Sequence, residues 1–563
     1  MGNRATVNSD EFAWVEGHCC DEFRESPASG GTALKILSAA EMREVDRLTT
    51  ARYGIPGLTL MENAGASVVE FIAQRWPKVA QRRIVVLCGK GNNGGDGFVV
   101  ARRLHELGAR PEVYMFAAPE EMQGDAATNY KRWEQASGTL QFVRNAEDLQ
   151  IVKPTLESAD IIIDALLGTG TRGAVEGLFA EAIEAVNKRR GPVRSAVVAV
   201  DIPSGLVADT GEAMGACINA LYTITFTAPK TGMIFGTAGD HTGQVIVRDI
   251  GSPPELIEEV GKSNVRWIDW REVSIFARPR RADANKGNYG HALIAAGSVG
   301  KSGAAVLASW AALRVGAGLV TVATPEPVLP IVAAHTPEIM TEPLPVTDAG
   351  TISLRSFEYA RFEKLLKGKR ALAIGPGLST QDETQQFVRN VVGSRTVPLI
   401  LDADGLNAFA GRAQELRNGS GALALTPHPG EMARLLGCGI PDVQAQRVEV
   451  ARKSAADWSA IVILKGQQTV VAAPDGQVFV NSTGNPGMGT GGTGDVLTGM
   501  LAGLTAQFGA SPWVRVLAFG VYLHGLAGDI AYAETGEAPL LASDLIRAIP
   551  SAYQQFYAEC GRG

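Results

Sequence analysis

Short aliphatic and β-branched runs alternate with helix-period stretches along most of this chain. The first helix opens at Ser38-Ala39-Ala40-Glu41, a Ser-x-x-Glu capping box, and carries its apolar face through Met42, Val45 and Leu48. A second helix holds Leu60, Met61, Ala64, Gly65, Val68 and Phe71. Buried strands are predicted over 83–88, 112–116, 161–166 and 196–201, with a helix over 98–107. The pattern restarts at His291. Strands are predicted over 291–296, 319–323, 371–374, 399–402 and 461–465, and a helix over 304–315. A hairpin spans 469–480 around Pro474-Asp475-Gly476. Apolar strands in alternation with helices mean parallel sheets covered on both faces, so the fold class is α/β with two three-layer αβα domains.

Composition refines this picture. At 563 residues the chain exceeds a single core. Its 65 glycines fit many strand-to-helix turns. A net charge of −7 without a basic block argues against a nucleic-acid surface. Six scattered cysteines without a C-x-x-C pair point to a reducing compartment and a cytoplasmic location. No uncharged, unbroken apolar run reaches the 18 or so residues of a membrane span; Pro512 and Arg515 interrupt the most apolar stretch. Residues 1–33 read as a disordered polar leader without the apolar stretch of a secretory signal. Residues 251–282, with Pro253-Pro254 and the basic run Arg278-Pro279-Arg280-Arg281, read as a linker between domains at 34–250 and 283–560.

In the first domain three turns fall at strand ends, where such folds collect ligands. They are Gly89 to Gly97 (G-K-G-N-N-G-G-D-G), Gly168 to Ala174 (G-T-G-T-R-G-A) and Asp201-Ile202-Pro203-Ser204-Gly205. The first contains G-x-G-x-x-G, but the next strand ends in Met115-Phe116-Ala117 with no acid for a ribose. The ordinary nicotinamide dehydrogenase reading is therefore rejected, and a phosphate-bearing ligand is kept. Asn93, Asp96, Asp164, Asp201 and Ser204 offer oxygens for a hard cation or a proton carrier, or serve as caps and turn residues. With Pro229-Lys230-Thr231-Gly232, these motifs resemble the NAD(P)H-hydrate epimerase family, over a Rossmann-like domain. The resemblance implies interconversion of (R)- and (S)-NAD(P)HX, nicotinamide cofactor hydrated at ring carbon six. It implies a substrate site of Asn92, Asn93, Gly94, Gly95, Asp96, Gly168, Thr169, Gly170, Thr171, Arg172, Gly173, Ala174 and Asp201. Asn93, Asp164 and Ser204 would hold K+, Asp201 would be the acid/base, and Lys230 a second candidate.

In the second domain the glycine-dense stretch Gly484 to Asp495 (G-N-P-G-M-G-T-G-G-T-G-D) lies between a strand and an apolar helix. Free N–H groups at such a helix start suit a phosphate. A carboxylate there, Asp495, repels that ligand unless it takes a proton. Ala295 to Ser302 (A-A-G-S-V-G-K-S) satisfies a relaxed P-loop pattern, weakened by Ala in the first position, and Lys301 reads as a solvated loop residue. These motifs, with Gly375-Pro376-Gly377, D-A-D-G-L-N, T-P-H-P-G-E and K-G-Q-Q-T, resemble the ADP-dependent (S)-NAD(P)H-hydrate dehydratase family, which is ribokinase-like. The resemblance implies a hydrate site of Ala304, Gly377, His428 and Asp495. It implies an ADP site of Lys465, Gly466, Gln467, Gln468, Thr469 and Gly494, with Mg2+ on the nucleotide, and a homo-oligomer. Only the S hydrate would be dehydrated, so the first domain would feed the second. A ribokinase-like small-alcohol kinase fused to a nucleotide-binding module, or a binding scaffold, are the other readings.

Overall fold

The computed structural model describes residues 34–136, 138–170, 173–189, 196–234, 238–509 and 512–561. The leader expected over 1–33, and Thr171 and Arg172, lie outside the described residues.

The first sheet has seven strands: β1 Ile84–Cys88, β2 Glu112–Met115, β3 Thr139–Phe142, β4 Ile161–Ala165, β5 Ala196–Val200, β6 Tyr222–Phe226 and β7 Gln244–Arg248. Their order is β3-β2-β1-β4-β5-β6-β7 and every pairing is parallel. Side chains alternate between two cores. In β1, Ile84, Val86 and Cys88 join one and Val85 and Leu87 the other, the two-residue period of a strand buried on both faces. A fully buried aliphatic side chain of this kind contributes roughly 1.5–3 kcal/mol.

The second sheet comprises β8 Val265–Ile268, β9 His291–Ala295, β10 Leu319–Pro325, β11 Met340–Leu344, β12 Ala371–Ile374, β13 Leu399–Leu401, β14 Leu423–Leu425, β15 Ile461–Leu464, β16 Val470–Ala472 and β17 Val478–Asn481. It runs β11-β10-β9-β12-β13-β14-β15-β16-β17-β8. The hairpin supplies the antiparallel pairs β15/β16 and β16/β17. On one face lie Leu293, Leu372, Leu399 and Val462, and on the other Ala292, Ala371, Ile400 and Ile461. The alanines admit helices at close range. A Cβ on Gly499 of the Thr493–Phe508 helix would fall 1.9 Å from the Ala308 carbonyl of the Ser302–Arg314 helix.

Two readings are corrected. The glycine stretch after β1 is a helix from Asn92 to Glu106, beginning six residues before the expected 98. Glycine is costly in a helix, but here packing requires it. A Cβ at Gly94 would fall 1.9 Å from the Gly89 carbonyl, and one at Gly97 2.8 Å from Cys88 Sγ. Residues 251–282 are no structureless linker. Pro254 opens a helix to Val260 as its first residue, a position where its missing N–H costs nothing. Val265 and Trp267 are buried, and β8 pairs with β17 in parallel. The other edge of β8 meets the first described residues: Ile36 N donates to Val265 O at 3.2 Å and Trp267 N to Leu34 O at 2.8 Å. The Trp513–Thr535 helix is long and apolar enough to cross a membrane, but 72% of its most apolar window is buried inside the protein.

Candidate functional site

Side chains at the carboxyl ends of β1, β4, β5 and β6 build a first site. Asp164, the penultimate residue of β4, is fully buried. It accepts hydrogen bonds from Ser204 Oγ at 2.5 Å, Ser204 N at 2.8 Å and Leu166 N at 3.3 Å. Burial nevertheless lifts its carboxyl to about 6, with those hydrogen bonds opposing. Leu167 N donates to Ser204 Oγ at 2.8 Å, and Asn93 Nδ2 to Leu167 O at 2.8 Å. Asn93 Oδ1 is buried and unpartnered. Gly168 sits against Asn93, where its Cβ would approach Asn93 Cβ to 3.2 Å. The structure thus brings Asn93, Asp164, Ser204 and Gly168 together.

Beside them lies a buried charge cluster. Asp201 follows β5 in the left-handed region, φ 63°, which aspartate tolerates better than most residues. Lys230, with its side chain 2% exposed, forms an ion pair with Asp201. It also donates to Thr225 Oγ1 at 2.7 Å and Phe226 O at 3.3 Å. The turn residue read as a second candidate is therefore the internal partner of the first. Burial drives Asp96 well above the usual carboxylate range, with Asp201 adding to the shift and Lys230 opposing it. Asp46, on the first helix, is raised to about 6, chiefly by burial, between the same two charges. Asp46 received no functional role from the sequence, where it is one polar position of the first helix.

The second site repeats the arrangement, again at strand ends. Lys465, after β15, donates to Asp402 Oδ1 at 2.7 Å and lies 3.7 Å from Glu431. Asp402, after β13, also accepts from Thr426 Oγ1 and Thr498 Oγ1, each at 2.7 Å. Gly492, φ 94°, turns the chain into the Thr493–Phe508 helix. Gly494 is against Lys465: a Cβ there would be 3.3 Å from Nζ. Asp495, in the first turn, is raised to about 7 by burial and by Asp402, with Lys465 opposing. His428 caps the next helix: its Nδ1 accepts from Gly430 N at 3.0 Å, which leaves Nε2 to carry the proton when the ring is neutral. Its side chain is 51% exposed.

Gly377 packs on Ala304, with a Cβ 3.0 Å from Ala304 Cβ, and its carbonyl accepts from Ser298 Oγ at 2.7 Å. The P-loop-like turn spends its N–H groups internally. Gly297 N reaches Pro376 O, Val299 N Gly350 O and Lys301 N Ser298 O. Lys301 remains solvated, its side chain 48% exposed, and pairs with Asp404 at 2.9 Å. A phosphate cradle of the P-loop kind is thereby excluded at these positions.

The side chains of Gln467 and Gln468 reach the first domain, where they donate to Gly239 O at 3.1 Å and Met233 O at 3.2 Å. Thr469 Oγ1 turns back on Gly466 O at 2.9 Å, so this loop presents backbone to its surroundings. Arg447 braces it through Leu464 O at 3.1 Å and Lys465 O at 3.3 Å. His524, held near 4 by burial and so neutral, bonds Thr493 O at 2.9 Å and fixes the helix start. Asp402, Glu431 and Arg447 received no role from the sequence; the first two stood inside quoted motifs, and Arg447 gave no signal. Among the described residues no group of three or more His, Cys, Asp or Glu has metal-holding geometry.

Residues 57–232 match the model of the YjeF-related protein N-terminus family, and residues 292–551 that of the NAD(P)H-hydrate dehydratase family. A bifunctional NAD(P)H-hydrate repair enzyme of Moorella thermoacetica is 46% identical over 92% of this chain and 96% of its own length. Its Escherichia coli counterpart is 36% identical over 91% of this chain and 93% of its own. Among solved structures, an ADP/ATP-dependent NAD(P)H-hydrate dehydratase of Bacillus subtilis, co-crystallised with ATP/Mg2+, is 35% identical. It matches with a TM-score of 0.44 over 51% of this chain and 97% of that one. Two sites on two matched domains, with whole-length relatives of one kind, lead to one conclusion: the chain belongs to the family of bifunctional NAD(P)H-hydrate repair enzymes.

Proposed function

We propose that the first site epimerises (R)- and (S)-NAD(P)HX through Asp201, and that the second dehydrates the S form through Asp495 at the expense of ADP. The observation that carries the second assignment is Asp495 itself, a carboxyl held at about 7 in the first turn after a glycine-dense loop. A base with that value takes a proton at neutral pH. The ring-six hydroxyl oxygen attacks the terminal phosphorus of ADP, its proton passes to Asp495, and the bond to AMP breaks. The C–O bond then breaks with departure of phosphate, a proton leaves the adjacent ring carbon, and NAD(P)H is restored. Lys465 and the N–H groups around Gly494 stabilise charge gathering on the transferred phosphoryl group. Backbone of 465–469 faces the nucleotide, and Ala304, Gly377 and His428 face the hydrate. In the first site Asp201 takes the proton of the ring-six hydroxyl as the bond from that carbon to the ring nitrogen breaks and an aldehyde forms; the nitrogen re-adds to the other face of the aldehyde, Asp201 returns the proton to the oxygen, and Lys230 fixes the Asp201 carboxylate. The turns at Asn92–Asp96 and Gly168–Ala174 line the substrate.

The donor set fits K+ in the first site. Asn93 Oδ1 is an orphaned buried oxygen beside the buried Asp164 carboxylate and Ser204. Oxygen donors suit a hard cation, which supplies positive charge there when bound. Mg2+ fits as an ion carried on the diphosphate, with Asp495 and Asp404 the nearby carboxylates; when bound it neutralises phosphate charge. The chain works in the cytoplasm as a homo-oligomer on this reading, in keeping with the free cysteines Cys88, Cys217, Cys438 and Cys560. Asp495→Asn is expected to abolish ADP-dependent loss of hydrate while epimerisation persists, and Asp201→Ala to slow R-to-S conversion while S dehydration persists. Full dehydratase turnover in the first variant, or equal losses of both activities in the second, overturns the assignment.

A further inference from the structure

The basic run at 278–281 has no part in either reaction, yet it lines a cleft of about 480 Å3. That volume lies within the roughly 300–1,000 Å3 of small-molecule sites. The cleft opens at the amino ends of β9 and β10, where Gly318 N bonds Tyr289 O at 3.0 Å, on the side of the sheet opposite the catalytic strand ends. It reaches Gln507, at the far end of the helix that begins beside Asp495. Twelve residues at ~1.5 Å each separate the two by about 18 Å.

Four guanidinium groups face this cleft: Arg278, Arg280, Arg281 and Arg314. The one carboxylate lining it is Asp283, paired with Arg281 at 2.6 Å. The helices ending at Arg314 and Phe508 add about half a negative charge each. Those contributions offset about two of the four positive charges and leave about +2, on a chain whose net charge is −7. Arg278 and Arg314 are exposed and have no carboxylate partner among the described residues. Arg280 is already ordered: it lies 3.8 Å from the Tyr289 ring centroid and donates to Gly316 O at 2.6 Å. Tyr553 braces the wall through Val315 O at 2.9 Å, and Tyr557, 44% exposed, offers a ring face. Guanidinium forks bind phosphate and aromatic faces bind bases.

We propose that this cleft is a binding site for a nucleoside triphosphate, separate from both catalytic sites. Arg278 and Arg314, which have no carboxylate partner among the described residues, take the phosphates, and Tyr557 stacks on the base. The test is equilibrium dialysis of the full chain with ATP and magnesium. The wild type binds two ATP per chain, and Arg278→Ala/Arg314→Ala binds one while its dehydratase kcat/KM stays within twofold, which also reports that it is folded. Tyr557→Ala weakens the second site at least fivefold without weakening inorganic triphosphate there. One ATP per wild-type chain that the double variant still binds overturns the proposal. Inorganic triphosphate binding as tightly as ATP overturns it too, as does a double variant that changes oligomeric state at unchanged ATP stoichiometry. The last result would mean that a second copy of the chain covers this face.

Discussion

Asp495 couples the chemistry to stability in a way that one substitution can read. Burial and the neighbouring Asp402 lift its carboxyl from 3.8 to about 7. A group whose folded value exceeds its unfolded value stabilises the protein fully below the unfolded value, and that stability is lost as pH rises through the folded one. At ~1.4 kcal/mol per pH unit between the two values, the ionised side chain costs about 4 kcal/mol above pH 7. Roughly 1.5 kcal/mol of this is already lost at pH 5, because the unfolded chain is ionised there, and about 2.5 kcal/mol develops between pH 5 and pH 8. Asp495→Asn keeps the shape and removes the titration. Its melting temperature relative to wild type should therefore climb with pH. At roughly 2 °C per kcal/mol for a domain of this size, the climb is about 5 °C. Calorimetry of the full chain at pH 5 and pH 8, following the transition that ADP shifts upward, measures it. A difference that is flat across that range, or that shrinks as pH rises, refutes the argument that burial of a charge sets Asp495's value.

Three further outcomes follow from the geometry. Lys230→Met strips Asp201 of its internal partner beside the raised Asp96 and Asp46. Loss of one member of a buried pair costs about 3–5 kcal/mol, and chiral chromatography should find epimerisation at the uncatalysed rate with S dehydration retained. Replacing K+ by tetramethylammonium should lower the first domain's melting temperature, and Asn93→Leu should erase that difference; an Asn93→Leu protein still sensitive to the swap would exclude Asn93 as a ligand. Gly499→Ala drives a Cβ to 1.9 Å from the Ala308 carbonyl and must displace the helix bearing Asp495. Denaturant titration should show at least about 2 kcal/mol lost, and dehydratase activity should fall while epimerase activity holds.

The strands were legible because burial on both faces leaves an unmistakable apolar run, as in β1, β4 and β5. Strand-end loops were legible as candidate ligand sites for the same topological reason. What the chain hid depended on contacts between distant segments. Gly94 and Gly97 look like loop glycines, and only the Gly89 carbonyl and Cys88 packed against them explain a helix there. Lys230 resembles a surface turn residue until the register of β6 puts Thr225 and Phe226 O around its ammonium. Asp402 stood in a recognised motif, but its grip on Lys465 spans 63 positions and has no local signature. Gln467 and Gln468, placed in the ADP site by resemblance, send their side-chain amides to carbonyls of the other domain, contacts with no local signature.

The edge formed by Leu34–Leu37, β8 and β17 bears on how the protein is made. The earliest described residues pair with β8, and β8 completes its pairing only against Val478–Asn481. Roughly 440 residues of synthesis separate the first of these segments from the last, about 20–90 s at ~5–20 residues per second. For that interval on the ribosome the first domain carries an open strand edge, the kind that invites pairing with another nascent chain. Splitting the gene between the two domains would make that interval permanent: a truncation that removes residues beyond 477 keeps Leu34 and Ile36 paired with β8 and should aggregate through the edge of β8 that β17 no longer covers.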